Sequence, residues 1–332
     1  MTKCCNIRQI GFALLLLIFL TSQSKIACSQ VKASESESTN NNSHLKYFGF
    51  TLIDVGWDDP TDKNHKTNYI DEVAPFCNVA DMLVVSPDES IIPRLQLFSK
   101  HRVKAILHLH ELFFQRAGNN APSGAAFDLR KDYRQRWDKW IAVNELKKNH
   151  SLMQALYIGE EPTWNGITFE ELSAACDYIK SSLPQSAETA ILVVEAYPAI
   201  KDLKVPQSVD WLGFDHYFIK SPATSQKLKN ELALLKSKRS SLHQRIVLIP
   251  DAHFIPQIHT HFGVKETDMK AIATAYYQMA CADTDIVALL AYFWPGGFDS
   301  PHAKGTRNLN SQVIDEYKRI GREITNKTSS SK

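Results

Sequence analysis

The chain has 332 residues, 44% of them hydrophobic and 22% charged, and a net charge of +2. That composition is ordinary for a globular protein, and the length allows one large α/β domain or two smaller ones. The near-neutral balance, without a dense basic cluster, excludes nucleic acid as the main partner.

Taken in order, the chain opens on a targeting pattern. Lys3 and Arg8 flank an apolar run of 11 residues at 10–20, IGFALLLLIFL, too short for a comfortable transmembrane helix. Ala27 and Ser29 form a small-x-small cleavage site, so residues 1–29 are expected to be a signal peptide and Gln30 the mature start. Lipid attachment at Cys28 is the competing reading, although Lys25 suits a lipoprotein signal poorly. Both readings place the folded part outside the cytoplasm, secreted or periplasmic, with no stable membrane insertion after cleavage. Residues 30–45, containing SESESTNNNSH, are too polar to order themselves and read as a linker. Residues 326–332 read as a similar tail. Cys77, Cys176 and Cys281 lie far apart with no CxxC pair, so no zinc module is indicated.

Between linker and tail, residues 46–325 alternate. Apolar runs bounded by Gly, Pro or Asp read as strands at 47–55, 80–86, 103–110, 152–161, 189–195, 209–217, 245–251 and 286–294. Helical patterns follow at 69–77, 91–101, 133–148, 168–183, 224–242, 266–282 and 311–324. The fifth strand has only a short, Pro-bounded connection, and a Gly/Asn/Pro-rich loop spans 118–124. Thr168 and Glu171 fit a capping box. Eight strand-then-helix units of this size predict a single (β/α)8 TIM barrel. An open doubly wound sheet would want a Gly-rich phosphate loop after its first strand, and LIDVGWDDP has none.

In such a barrel the C-terminal strand ends form the site. Period-two alternation predicts these inward sets: Phe50, Leu52 and Asp54; Ile106, His108 and His110; Tyr157, Gly159 and Glu161; Val193, Glu195 and Tyr197. The last strands add Trp211, Gly213, Asp215 and Tyr217, then Val247, Ile249, Asp251 and His253. Glu160 is expected to point the other way. The predicted pocket holds Asp54, His110, Glu161, Glu195, Asp215 and Asp251, ringed by Trp57, Trp164, Tyr197, Tyr217 and Trp294. Carboxylates accept hydrogen bonds from sugar hydroxyls, and aromatic rings pack on the CH faces of a pyranose. Crowded carboxylates also push their pKa values apart, as acid–base chemistry requires.

This strand-end pattern, across 47–324, resembles the superfamily of TIM-barrel glycoside hydrolases whose acid/base ends strand four and whose nucleophile ends strand seven. The resemblance implies hydrolysis of a glycosidic bond in a carbohydrate by paired carboxylates, without cofactor or metal. Glu160-Glu161-Pro162 stands where that clan has Asn-Glu-Pro, which makes Glu161 the general acid/base. Asp251, in IPDAH, takes the nucleophile position, with Asp215 and Glu195 as the other candidates. Trp294, in AYFWPGG, takes the strand-eight aromatic position. Asp54, Trp57, His110, Glu160, Tyr197 and Tyr217 complete the expected sugar-binding set. Glu160 replaces the usual Asn, and Asp251 is one methylene shorter than the usual Glu. Retaining pairs sit about 5–5.5 Å apart and inverting pairs about 6.5–9.5 Å, so the stereochemistry stays open.

Two other readings compete. His108 and His110 put two imidazoles on one strand face, and His216, Asp251 and His253 offer further ligands for a metal-dependent hydrolase. In barrel amidohydrolases, however, the HxH lies on the first strand, and here it lies on the third. A non-catalytic sugar-binding barrel would also accommodate the departures at Glu160 and Asp251.

Overall fold

The computed structural model describes residues 44–184 and 188–327. The expected signal peptide, Cys28, linker residues 30–43 and tail residues 328–332 lie outside the described residues.

In chain order the elements begin with β1 (Tyr47–Phe50), α1 (Ile70–Val73), β2 (Val79–Leu83), α2 (Ile92–Lys100), β3 (Lys104–His108) and α3 (His110–Phe113). β4 (Phe114–Gly118), β5 (Ala126–Leu129), α4 (Tyr133–Val143), α5 (Leu146–Asn149), β6 (Met153–Glu160) and α6 (Phe169–Ser182) follow. β7 (Ala190–Ala196), β8 (Trp211–Asp215), α7 (Gln226–Ser237), β9 (Arg245–Ile249) and α8 (Pro256–His261) come next, then α9 (Met269–Ala282), β10 (Ile286–Ala291) and α10 (Ser311–Thr325). Eight strands form one parallel sheet in the order β1-β10-β9-β8-β7-β6-β3-β2. Its two ends meet through a parallel bridge between Asp54 and Met82 and a hydrogen bond from Asn78 N–H to Phe48 O. The result is the expected (β/α)8 barrel, nearly closed. Among the described residues no helix is long and apolar enough to cross a membrane.

The strands are apolar on both faces because the barrel buries both. Ile106, Ala155, Leu192, Trp211, Val247 and Leu290 fill the interior. The alternate residues, such as Leu107, Leu156, Val193, Leu212 and Leu248, pack outward on the helices. The helices present matching stripes: Tyr133, Trp137 and Trp140 on α4, and Val313, Tyr317, Ile320 and Ile324 on α10. Trp137 and Trp140 stack at 5.1 Å in that outer layer. α6 starts in the expected Thr168/Glu171 capping box.

Several local expectations change. The helix expected over 133–148 breaks at Glu145, whose left-handed φ of 46° separates α4 from α5. The loop around 118–124 tips an antiparallel β4–β5 hairpin. The first strand faces the opposite way: Phe48 and Phe50 pack on the helices and Tyr47 faces the interior. The fifth strand is also reversed, with Leu192 and Val194 inward and Val193 outward. In the fourth strand a register shift between Tyr157 and Gly159 interrupts the alternation, so Gly159 faces the helix layer and Glu160 does not.

Gly49 shows how tightly the closing seam is drawn: a Cβ built there would sit 2.2 Å from Val79 O. Gly49→Ala must spread β1 from β2 and should cost about 1–3 kcal/mol, as overpacked core sites do. Denaturant unfolding checks this, and an unchanged midpoint with unchanged slope would contradict so close a seam.

Candidate active site

The bulge in β6 creates the site. It turns the end of the strand so that two adjacent carboxylates, Glu160 and Glu161, serve the barrel mouth. Glu160 Oε2 lies 2.8 Å from His108 Nε2, and the His108 ring stacks on Tyr157 at 4.5 Å. Burial opposes a proton on His108, but the charge and hydrogen bond of Glu160, with Asp81 behind, raise its pKa to about 9. His108 is therefore an imidazolium at neutral pH. Burial likewise raises Glu160, yet His108 outweighs it and holds Glu160 below its usual range, ionised.

Glu161 is held differently. Its φ of 47° is left-handed, a strained position for a residue with a Cβ, and its backbone N–H donates to Val194 O at 2.7 Å. It is 8% exposed, and its Oε2 is buried without a hydrogen-bond partner. Burial raises its pKa well above the ordinary value, and the charges of Asp215, Glu160 and Glu195 push the same way. Glu161 and Asp215 lie close enough for each to act on the other's ionisation. Burial brings Asp215 up to about 7, while the Tyr217 hydroxyl, donating to Asp215 Oδ2 at 3.2 Å, favours its ionised form. Burial and mutual charge thus oppose ionising both carboxyls together. Such a pair can protonate a leaving group while its partner stays ionised.

An aromatic wall completes the mouth. Tyr217 and Tyr292 stack at 5.0 Å and 14°, and the Tyr292 hydroxyl donates to Asp299 at 3.1 and 3.2 Å. Tyr157, Asp81, Tyr292 and Asp299 were missing from the predicted set. The period-two pattern carried a signal for Asp81, an acid at an inward position of β2 in register with Ile106.

The other predicted residues are placed elsewhere or engaged. Glu195 is fully buried and accepts from the backbone N–H groups of Thr163, Trp164 and Ala196 at 2.7, 3.2 and 3.0 Å, so it holds the loop after β6 in place. Asp54 is bound by Arg94 Nε at 2.8 Å. Trp57 packs edge-on against Phe298, with its indole N–H on Gly296 O. Trp294 is buried in the helix layer against Phe50, its indole N–H on Glu72 at 2.7 Å, so Tyr292 takes the inward aromatic position of the last strand. Tyr197 lies between His216, stacked at 3.7 Å, and the Lys227 ammonium at 4.7 Å, which leaves neither ring face free for a sugar. His110 opens α3 against Phe114 and Phe127, and burial lowers its pKa to about 4. Two clefts of 510 and 430 Å³ flank the Thr61 and Asn308 loops and include none of the mouth residues.

Asp251 lies in a closed cluster. At 1% exposure it accepts from Phe218 N–H at 2.8 Å and touches His253 and His259 at 3.2 and 3.3 Å. Burial raises it, but the two imidazoles hold its pKa far below the usual carboxylate range. Among the described residues this is the one group whose donor atoms converge enough for a metal ion. Ile255 N–H donates to His259 Nδ1 at 2.9 Å, which leaves the Nε2 proton for Asp251 and satisfies the cluster by hydrogen bonds alone. His108 and His110 do not converge: one binds Glu160 and the other packs on phenylalanines. His216 is bound to Glu231 at 2.5 Å.

No protein-family model matches the chain, and no curated protein matches it. In three dimensions it is similar to solved glycoside hydrolases. A glucosidase from Croceicoccus marinus superposes with a TM-score of 0.55 at 11% identity, over 85% of this chain and 68% of that one. Xylanase 10B from Thermotoga maritima gives 0.52 at 11%, over 84% and 96%. The Bifidobacterium dentium β-glucuronidase gives 0.53 at 10%, over 83% and 46%. At such identities the likeness is one of fold, and the barrel is the one that TIM-barrel glycoside hydrolases use.

The Asp251 cluster yields a direct prediction. Asp251→Asn removes the buried carboxylate that both His253 and His259 touch and should lower stability by about 3–5 kcal/mol at neutral pH. Asp251 has a depressed folded-state pKa, so its contribution is present above the unfolded value of about 3.9 and is lost as the pH falls below it. The gap between wild type and variant in denaturant should therefore narrow in acid; a gap under about 1 kcal/mol at neutral pH would contradict the ion-cluster reading.

Proposed function

We propose that the chain is an exported hydrolase of glycosidic bonds, with a carbohydrate as its substrate. The observation that carries this reading is the buried Glu161 carboxyl beside Asp215 at the C-terminal mouth of a (β/α)8 barrel, its pKa raised by burial and by that neighbour's charge. Glu161 protonates the leaving oxygen. Asp215 keeps that proton on Glu161 through its charge. Glu160, ionised by His108 and one-third exposed, supplies the base or nucleophile. Asp251, closed in behind Phe218 and its two histidines, stays out of the reaction. Tyr217 and Tyr292 line the face on which a sugar ring rests.

The test is hydrolysis of a broad oligo- and polysaccharide panel by the protein starting at Gln30, beside Glu161→Gln, Glu160→Gln and Asp215→Asn. Loss of a general acid lowers turnover by about 10²–10⁴-fold, so Glu161→Gln should fall at least that far while still binding. The working form carries one proton on the pair, so activity declines as rising pH removes it. Asp215→Asn removes the charge that raises Glu161, and the alkaline limb should move to lower pH. Turnover unaffected by Glu161→Gln would overturn the assignment. Saturable sugar binding with no turnover would leave a binding barrel.

A further inference from the structure

The mouth carries an imbalance that the acid–base reading does not use. Other acid clusters of the molecule are matched by cations. Arg307 answers Asp59, Asp62 and Glu72, and Arg94 answers Asp54 and Glu89. At the mouth, among the described residues, Glu161, Asp215 and Asp299 form no ion pair with any Lys, Arg or His, and Glu160 has only His108. The whole chain carries +2, so this negative field is local. Asp299 is exposed, yet the Tyr292 hydroxyl pins it at 3.1 and 3.2 Å, which fixes an unpaired carboxylate at the rim. Deeper in, Glu161 is 8% exposed with an unpartnered Oε2.

A bare divalent cation does not fit the arrangement. No three mouth carboxylates bring donor atoms within 4.8 Å of one another; among the described residues only Asp251, His253 and His259 do so. Asp215 and Asp299 are instead tied to the two rings of the stacked Tyr217–Tyr292 wall, one through each hydroxyl. Acids separated by aromatic faces suit an organic cation, whose ammonium takes carboxylates and ring faces together while its carbon skeleton packs on the rings.

We propose that the sugar taken by this mouth is a hexosamine with a free amine, its ammonium met by Asp215 and by Asp299 at the rim. This rests on the hydrolase reading for its chemistry but not for its recognition. The same field disfavours uronic acids, whose carboxylates it repels, and it loses its partner when the amine is acetylated. A cleft of one sign also draws an oppositely charged ligand from solution, with a strong dependence on salt.

The test compares glucosamine and galactosamine oligosaccharides in α and β linkages, each as free amine and N-acetylated, beside neutral glucose oligomers. Cleavage is read on the wild type, and binding by calorimetry on Glu161→Gln. The expected result is a kcat/KM at least about tenfold higher for a free-amine substrate than for its N-acetyl form, falling as salt rises. Asp299→Asn should shrink that ratio, chiefly through KM. Cleavage of neutral or acetylated sugars as well or better, without salt dependence, overturns the free-amine assignment and leaves the hydrolase. Salt-sensitive binding of free-amine sugars without cleavage of any keeps the assignment and removes the hydrolase. Neither binding nor cleavage anywhere overturns both.

Discussion

Two carboxyl groups forced together at the desolvated mouth of the barrel, Glu161 and Asp215, cannot both ionise at ordinary cost. Burial opposes the charge on each, and each charge opposes the other. Keeping Glu161 protonated resolves the conflict. That requirement explains much of what surrounds them: a tyrosine hydroxyl that favours the anion on Asp215, and an imidazolium that settles the neighbouring Glu160. Were Glu160 neutral as well, the mouth would lose the one carboxylate whose cationic partner outweighs its burial.

The backbone builds this crowding at some expense. A parallel strand with regular alternation would send Glu160 and Glu161 to opposite faces. The bulge at Gly159 and the left-handed Glu161 bring both to the mouth. The strain of a non-Gly residue at positive φ is of order 1–3 kcal/mol and persists only where surroundings over-determine it. Here they do: Glu161 N–H is bound to Val194 O, its carbonyl accepts from Asn165 N–H, and Glu195 clamps Thr163 and Trp164 of the loop that follows. Glu195 thus serves the site through the backbone, without touching the mouth itself.

The fold was largely legible because barrel strands buried on both faces are written as continuous apolar runs, and helices as 3.6-residue stripes. Interior parity was read correctly in β8 and β9, where Trp211, Val247 and Ile249 face inward, and reversed in β1 and β7, whose apolar residues on both faces give the period no sign. It failed where a local irregularity or a distant partner decided. Nothing in LYIGEEP distinguishes a bulged strand from a straight one except the glycine. Asp54 looks like any strand-end acid until Arg94, forty residues on, closes over it. Trp294 and Tyr292 are both aromatics at a strand end, and only Glu72, far away in sequence, shows which is packed outside the barrel. Asp251 kept the position expected for a nucleophile, and His253 the inward position beside it, but His259 comes from a helix that strand periodicity does not describe.

The claim on which the account turns is the protonation of Glu161. A carbon-13 NMR titration of glutamate side-chain carboxyls, with Glu161→Gln to assign the resonance, measures it directly. The account predicts that the Glu161 carboxyl stays protonated through neutral pH and titrates earlier once Asp215 is replaced by Asn. A Glu161 resonance that titrates near the ordinary value of about 4.3, and does not respond to Asp215→Asn, would contradict it.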